Sequence, residues 1–138
     1  MTRYMLDANS VSYFIRQHPA VSARVVAVPM SSLCVSAITA GELMFGLARR
    51  MDAVRLHGAV REFLRRIDVL PWDDAVAMRY GAVRADLQRS GGTLAPLDLL
   101  IATHALSVGA VLVTSDRAFS RFTDLVIEAN LVIEDWTG

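Results

Sequence analysis

Apolar residues along the chain fall into two kinds of run. Short unbroken apolar stretches predict strands at residues 3–6, 33–38, 69–71, 110–114 and 131–134. Between them lie longer stretches with helical spacing. Residues 9–16 predict a helix that Pro19 ends or interrupts, and residues 39–50 predict another. Asp52 opens an amphipathic helix in which Leu56, Ala59, Val60, Phe63, Leu64 and Ile67 share one stripe, with Arg55, Arg61, Arg65 and Arg66 mostly off it. Asp73-Asp74 caps a helix running to about Gln88, and Ser90-Gly91-Gly92 is a loop. Pro96 starts a helix that Gly109 closes, and residues 118–122 form a turn or short helix. Strands alternating with helices imply an α/β fold, a mostly parallel sheet covered on both faces. A chain of 138 residues holds one such domain, 1–138, with a real core.

Composition narrows the chemistry. Apolar residues make up 54% and mean hydropathy is +0.39, which fits either a helix-rich domain or apolar surface covered by another chain. Formal net charge is zero, so no whole-molecule basic field is available for gripping nucleic acid. All 14 basic residues are Arg. The absence of Lys excludes a Walker-A lysine, a Schiff-base lysine, a Ser–Lys dyad and the lysine-dependent scheme of response-regulator receivers. The single cysteine, Cys34, lies in an apolar run and reads as a buried hydrophobe. Asp7 interrupts the first apolar stretch, and residues 99–113 are too short to span a bilayer, so a cytoplasmic protein is expected.

Four acids stand apart from the rest. Asp7 and Asp116 directly follow predicted strands, Glu42 lies just inside the helix after a strand, and Asp98 opens a helix with no strand before it. Each also has a local structural role open to it. Asp7 could cap a helix, and Glu42 could close a capping box with Thr39. Asp98 could sit on a helix dipole, and Asp116 could form an Asx-turn. In a parallel sheet, however, strand ends share one edge, where ligands bind. Two carboxylates about 4 Å apart repel by roughly 4 kcal/mol at an effective dielectric of 20, so a convergent set needs a cation. Hard oxygen donors without a Cys or His cluster suit Mg²⁺ or Mn²⁺. Such an ion suits phosphodiester hydrolysis by activated water. Asp52, Glu62, Asp73, Asp74 and Asp86 begin helices or lie on polar faces and read as solvated.

Four segments, in order, resemble one family over nearly the whole chain. They are Met5-Leu6-Asp7-Ala8-Asn9, residues 35–43 around Glu42, residues 96–105 around Asp98, and residues 112–119 around Asp116, followed by the ending Leu131 to Trp136. The chain resembles the VapC-type PIN-domain ribonucleases. The resemblance implies an α/β/α sandwich and a Mg²⁺- or Mn²⁺-dependent endoribonuclease with tRNA as the usual substrate class. It also implies a VapB-like antitoxin whose C-terminal segment covers the site, and a homodimer. Asp7, Asp98 and Asp116 would then be metal ligands, and Glu42 a ligand or the positioner of the attacking water. Asn9 and Thr114 would steady the site by hydrogen bonds.

Ser115 and Ala118 stand where some members carry a further polar or acidic residue, which leaves one metal or two open. His104 reads as a helix-packing residue, and Arg49, Arg50 and Arg55 as a solvated helical hairpin, with phosphate contact the alternative. A PIN-type nuclease of RNA maturation or DNA processing, and a non-catalytic interaction domain of the same fold, are the competing readings.

Overall fold

The computed structural model describes residues 1–125 and 130–138. Five strands form one sheet: β1 (Tyr4–Leu6), β2 (Leu33–Ser36), β3 (Asp68–Leu70), β4 (Val111–Val113) and β5 (Ile133–Glu134). Their order is β3-β2-β1-β4-β5, and every pairing is parallel. The register sets Met5 beside Cys34 and Leu112.

Helices fill the connections. Helices α1 (Ala8–Ile15) and α2 (Pro19–Val26) join β1 to β2, and α3 (Ala37–Ala48) and α4 (Val54–Arg66) join β2 to β3. Helices α5 (Asp74–Arg89) and α6 (Pro96–Val108) return the chain to β4, and α7 (Ala118–Leu125) follows it. The chain first steps outward from β1 to β3, then crosses back to continue in the other direction. With right-handed crossovers, that reversal puts the early helices on one face and the late helices on the other.

The two cores follow this division. Leu6, Leu33, Val35 and Val113 point to the face covered by Val11, Val21, Leu43, Leu47, Val60 and Phe63. Met5, Cys34 and Leu112 point to the opposite face, against Val83, Leu87, Leu99, Ile101, Phe119 and Phe122. Side chains alternate across the sheet with period two, giving an α/β/α sandwich.

Several element boundaries differ from expectation by a few residues, and three of the differences have a clear local reason. Pro19 does not only end a helix: it occupies the first turn of α2, where its missing N–H is no loss, and His18 Nδ1 accepts from the Val21 amide at 3.3 Å. Helix α3 begins at Ala37, with Ser36 as its N-cap, rather than at Thr39. No capping box forms: Thr39 is buried, and its hydroxyl has no partner among the described residues. Asp52 does not open α4, which starts at Val54 behind Ala53 without a side-chain cap. Gly109 ends α6 as expected, at φ 68°, a left-handed conformation that glycine adopts without penalty.

Candidate active site

The reversal in sheet order falls at β1, and ligands of open α/β sheets bind at such a point, beyond the strand C-termini. Two acids lie there by direct continuation of neighbouring strands. Asp7 follows β1 and Asp116 follows β4. The Asp7 amide donates to Val113 O at 3.1 Å, holding the two strand ends together.

Asp7 is buried and serves two roles at once. Its Oδ1 accepts from the Ser10 amide at 2.8 Å, the N-cap of α1, and its Oδ2 accepts from the Thr114 hydroxyl at 2.6 Å. The same Thr114 oxygen accepts from the Asp116 amide at 3.0 Å. One hydroxyl therefore ties the two strand-end acids. Asp116 is exposed and also makes its Asx-turn, its Oδ1 accepting from the Ala118 amide at 2.9 Å. The local roles open to Asp7 and Asp116 are both real, and neither uses all the acceptor capacity of a carboxylate.

Glu42 and Asp98 arrive from helices. Glu42 lies in the second turn of α3, which follows β2 without a loop, and Asp98 lies in the first turn of α6. Both are half-buried, and neither accepts a hydrogen bond or pairs with a cation among the described residues. Helix α6 is fastened to the start of α3 by His104, whose Nδ1 lies 2.7 Å from Ser36 Oγ. Burial pushes the His104 imidazole below its usual range, which suits the packing role expected of it.

Electrostatically the four acids form one set. Burial raises the Asp7 carboxyl above its usual value, opposed by the Thr114 and Ser10 hydrogen bonds and reinforced by the Asp116 charge. Glu42 is raised by burial, then by Asp98 and Asp7. Asp98 is raised by burial, then by Asp116 and Asp7. As placed, no three acidic, histidine or cysteine side chains among the described residues stand close enough to hold one ion. The set is thus convergent in charge but not closed.

Other residues take simpler positions. Asn9 is exposed on α1 without a side-chain hydrogen bond among the described residues. Glu62 pairs with Arg65 and Arg66, Asp73 caps α5, and Asp86 pairs with Arg89. Sequence reasoning missed Ser10, whose amide and hydroxyl bond Asp7 and Val113 O, and the Ser36–His104 tie. A serine three residues after Asp7 and one ending an apolar strand run were the available signals.

Comparison with known proteins places this chain in a family. Residues 4–125 match the PIN domain. The chain belongs to the PIN-domain family, and its full-length relatives are VapC proteins. It is 34% identical to the tRNA(fMet)-specific endonuclease VapC of Shigella flexneri, across 99% of this chain and 100% of the relative. It is 33% identical to ribonuclease VapC2 of Haemophilus influenzae, across 93% of this chain and 98% of the relative. The solved structure of DNA-bound VapBC from Salmonella typhimurium superposes with a TM-score of 0.85 at 35% identity, covering 99% of both chains. Among the described residues no helix is long and apolar enough to cross a membrane.

Proposed function

We propose that this chain is an endoribonuclease, the toxin half of a VapBC-like toxin–antitoxin pair, that cleaves tRNA with Mg²⁺ or Mn²⁺. The observation that carries the reading is the set of four acids about the sheet reversal, three of them raised by burial and by the charge of others in the set, with no compensating arginine paired to them among the described residues. The names of the VapC relatives support RNA, and tRNA in particular, as substrate. The VapBC complexes among solved relatives support a VapB-like antitoxin as partner.

Asp7, Glu42, Asp98 and Asp116 are the residues that would hold the metal. The fit is one of chemistry: hard oxygen donors, no thiolate and no imidazole among them, and charge in excess. Glu42 and Asp98 accept no hydrogen bond among the described residues, so their oxygens are uncommitted. When bound, the metal supplies charge neutralisation at the phosphodiester and a more acidic water. The chain's own part is positioning. The Ser10 amide and Thr114 hydroxyl fix the Asp7 carboxylate, Thr114 holds the backbone at Asp116, and His104 with Ser36 sets α6 against α3. Glu42 lines an open cleft, where it can orient a water or a ligand.

Cleavage of a total-tRNA pool by the purified, antitoxin-free chain tests this directly. Discrete fragments are expected with Mg²⁺ or Mn²⁺, none with EDTA and none with Asp98→Asn. A folded protein that cuts nothing under any metal, or cuts equally well as Asp98→Asn, overturns the reading.

A further inference from the structure

Beyond the acid set, a groove runs along the seam of α1, α3 and α4. Two adjoining clefts of about 230 and 250 Å³ share Ser12, Arg50, Leu56 and Val60 as walls. Glu42 stands in one of them, Arg49 lines the same one, and Arg16 lines the other. The groove therefore changes from anionic to cationic along its length. Arg49 follows Glu42 by seven residues, two helical turns, about 10 Å along one face of α3.

The three guanidiniums keep N–H donors open, Arg16 using only its Nε on Ser12 O at 3.4 Å. None of Arg16, Arg49 and Arg50 has a carboxylate partner among the described residues. Arg49 lies 4.8 Å over the Phe45 ring and Arg16 lies 5.5 Å over the Tyr13 ring. Stacking of this kind holds a guanidinium in place while leaving its N–H edge for an anion.

Like Gly41, Gly58 and Gly81, Gly46 leaves open space where a Cβ would stand, and it lines the groove. It sits within α3, where glycine is worse than alanine, and its φ is not left-handed. A Cβ there would meet nothing within 4 Å, yet the residue is half-buried. Open space beside a half-buried position means a concavity, and Gly46 lines the groove between Glu42 and Arg49. A Cβ there would enter the groove without meeting a neighbour within 4 Å.

We propose that this groove is the track of the RNA strand: Arg16, Arg49 and Arg50 hold its phosphates, and its backbone passes over Gly46 to the acids. The proposal rests on the nuclease reading and adds the route by which substrate arrives. Arg49 and Arg50 are exposed, as expected of a solvated hairpin, and the proposal gives them phosphate contact in addition, whereas Arg55 is absent from the groove walls.

Anisotropy of a fluorescent tRNA, read across a salt series in the Asp98→Asn background, tests it with Gly46→Leu, Arg49→Ala and Arg50→Ala. Gly46→Leu is expected to melt no lower than its parent and to bind at least tenfold more weakly. Each arginine removal is expected to reduce the slope of log affinity against log salt by about 0.7–0.9. A parent that binds tRNA while all three variants keep its affinity and slope overturns the track and leaves the groove to a protein partner. A parent that binds no RNA at any salt overturns the nuclease reading and the track with it.

Discussion

Thr114 donates its hydroxyl to Asp7 and accepts from the Asp116 amide, so one side chain fixes two of the four acids. Thr114→Val keeps the shape and removes the partner of Asp7 Oδ2 and of the Asp116 amide, leaving Asp7 only its Ser10 bond. It is expected to destabilise the fold by about 1–3 kcal/mol, since the lost bond reaches a buried carboxylate, measurable by urea unfolding. Asp98 presents the opposite case. Its place in the first turn of α6 is worth about 0.3–1 kcal/mol through the helix dipole, while burial first, and then the Asp116 and Asp7 charges, raise it. The net shift is upward, so Asp98→Asn is expected to raise the metal-free melting temperature by a few degrees; a clear fall would assign Asp98 to helix capping. The pH dependence follows the same sign. Asp7, Glu42 and Asp98 are raised in the folded state, so the folded chain holds protons more tightly than the unfolded one. Their contribution is full below the ordinary carboxylate range and is lost as pH rises through the raised values. Without metal, melting is therefore expected to be higher at about pH 5 than at about pH 8, with a smaller difference in Asp98→Asn. The lowered, exposed Glu62 and Asp135 act below that window and do not disturb it.

At the scale of elements, the junction of β2 and α3 carries most of what the sequence hid. The apolar run 33–38 continues through the start of the helix, because Ala37, Ile38 and Thr39 have their side chains packed inward rather than marking a strand. Thr39 and Glu42 have the spacing of a capping box, but Ser36 captures the cap first, its hydroxyl accepting from the Ile38 amide at 3.1 Å. Ser36 also meets His104, and the other ring nitrogen, Nε2, has no partner among the described residues. Ser36→Ala removes an N-cap and strands a second buried nitrogen of His104. A loss of about 2–3 kcal/mol is expected. Amide exchange at the start of α3 and in α6 would locate it, and a purely local effect confined to α3 would contradict the tie between the two helices.

For the whole molecule, alternation of strand and helix was legible because short unbroken apolar runs give way to stretches with helical spacing, and parallel pairing follows from that alternation. The position of Asp98 was not legible. Nothing in the residues before Pro96 says that α6 delivers its first turn to the sheet reversal; only the return of the chain from β3 across to β4 does that. The apolar surplus has a visible counterpart in exposed Phe45, Met51, Val54, Met78 and Leu97. Covered by a second copy, these predict a homodimer by light scattering, and a lone monomer at high concentration would contradict it. The proposed metal site draws its four acids from four separate elements. Calorimetric titration of Mn²⁺ into the purified chain tests it without reference to any substrate. Saturable binding is expected, weakened at least tenfold in Asp7→Asn, Glu42→Gln, Asp98→Asn and Asp116→Asn alike. Folded variants that bind Mn²⁺ as the parent does, or a parent that binds none, would contradict it.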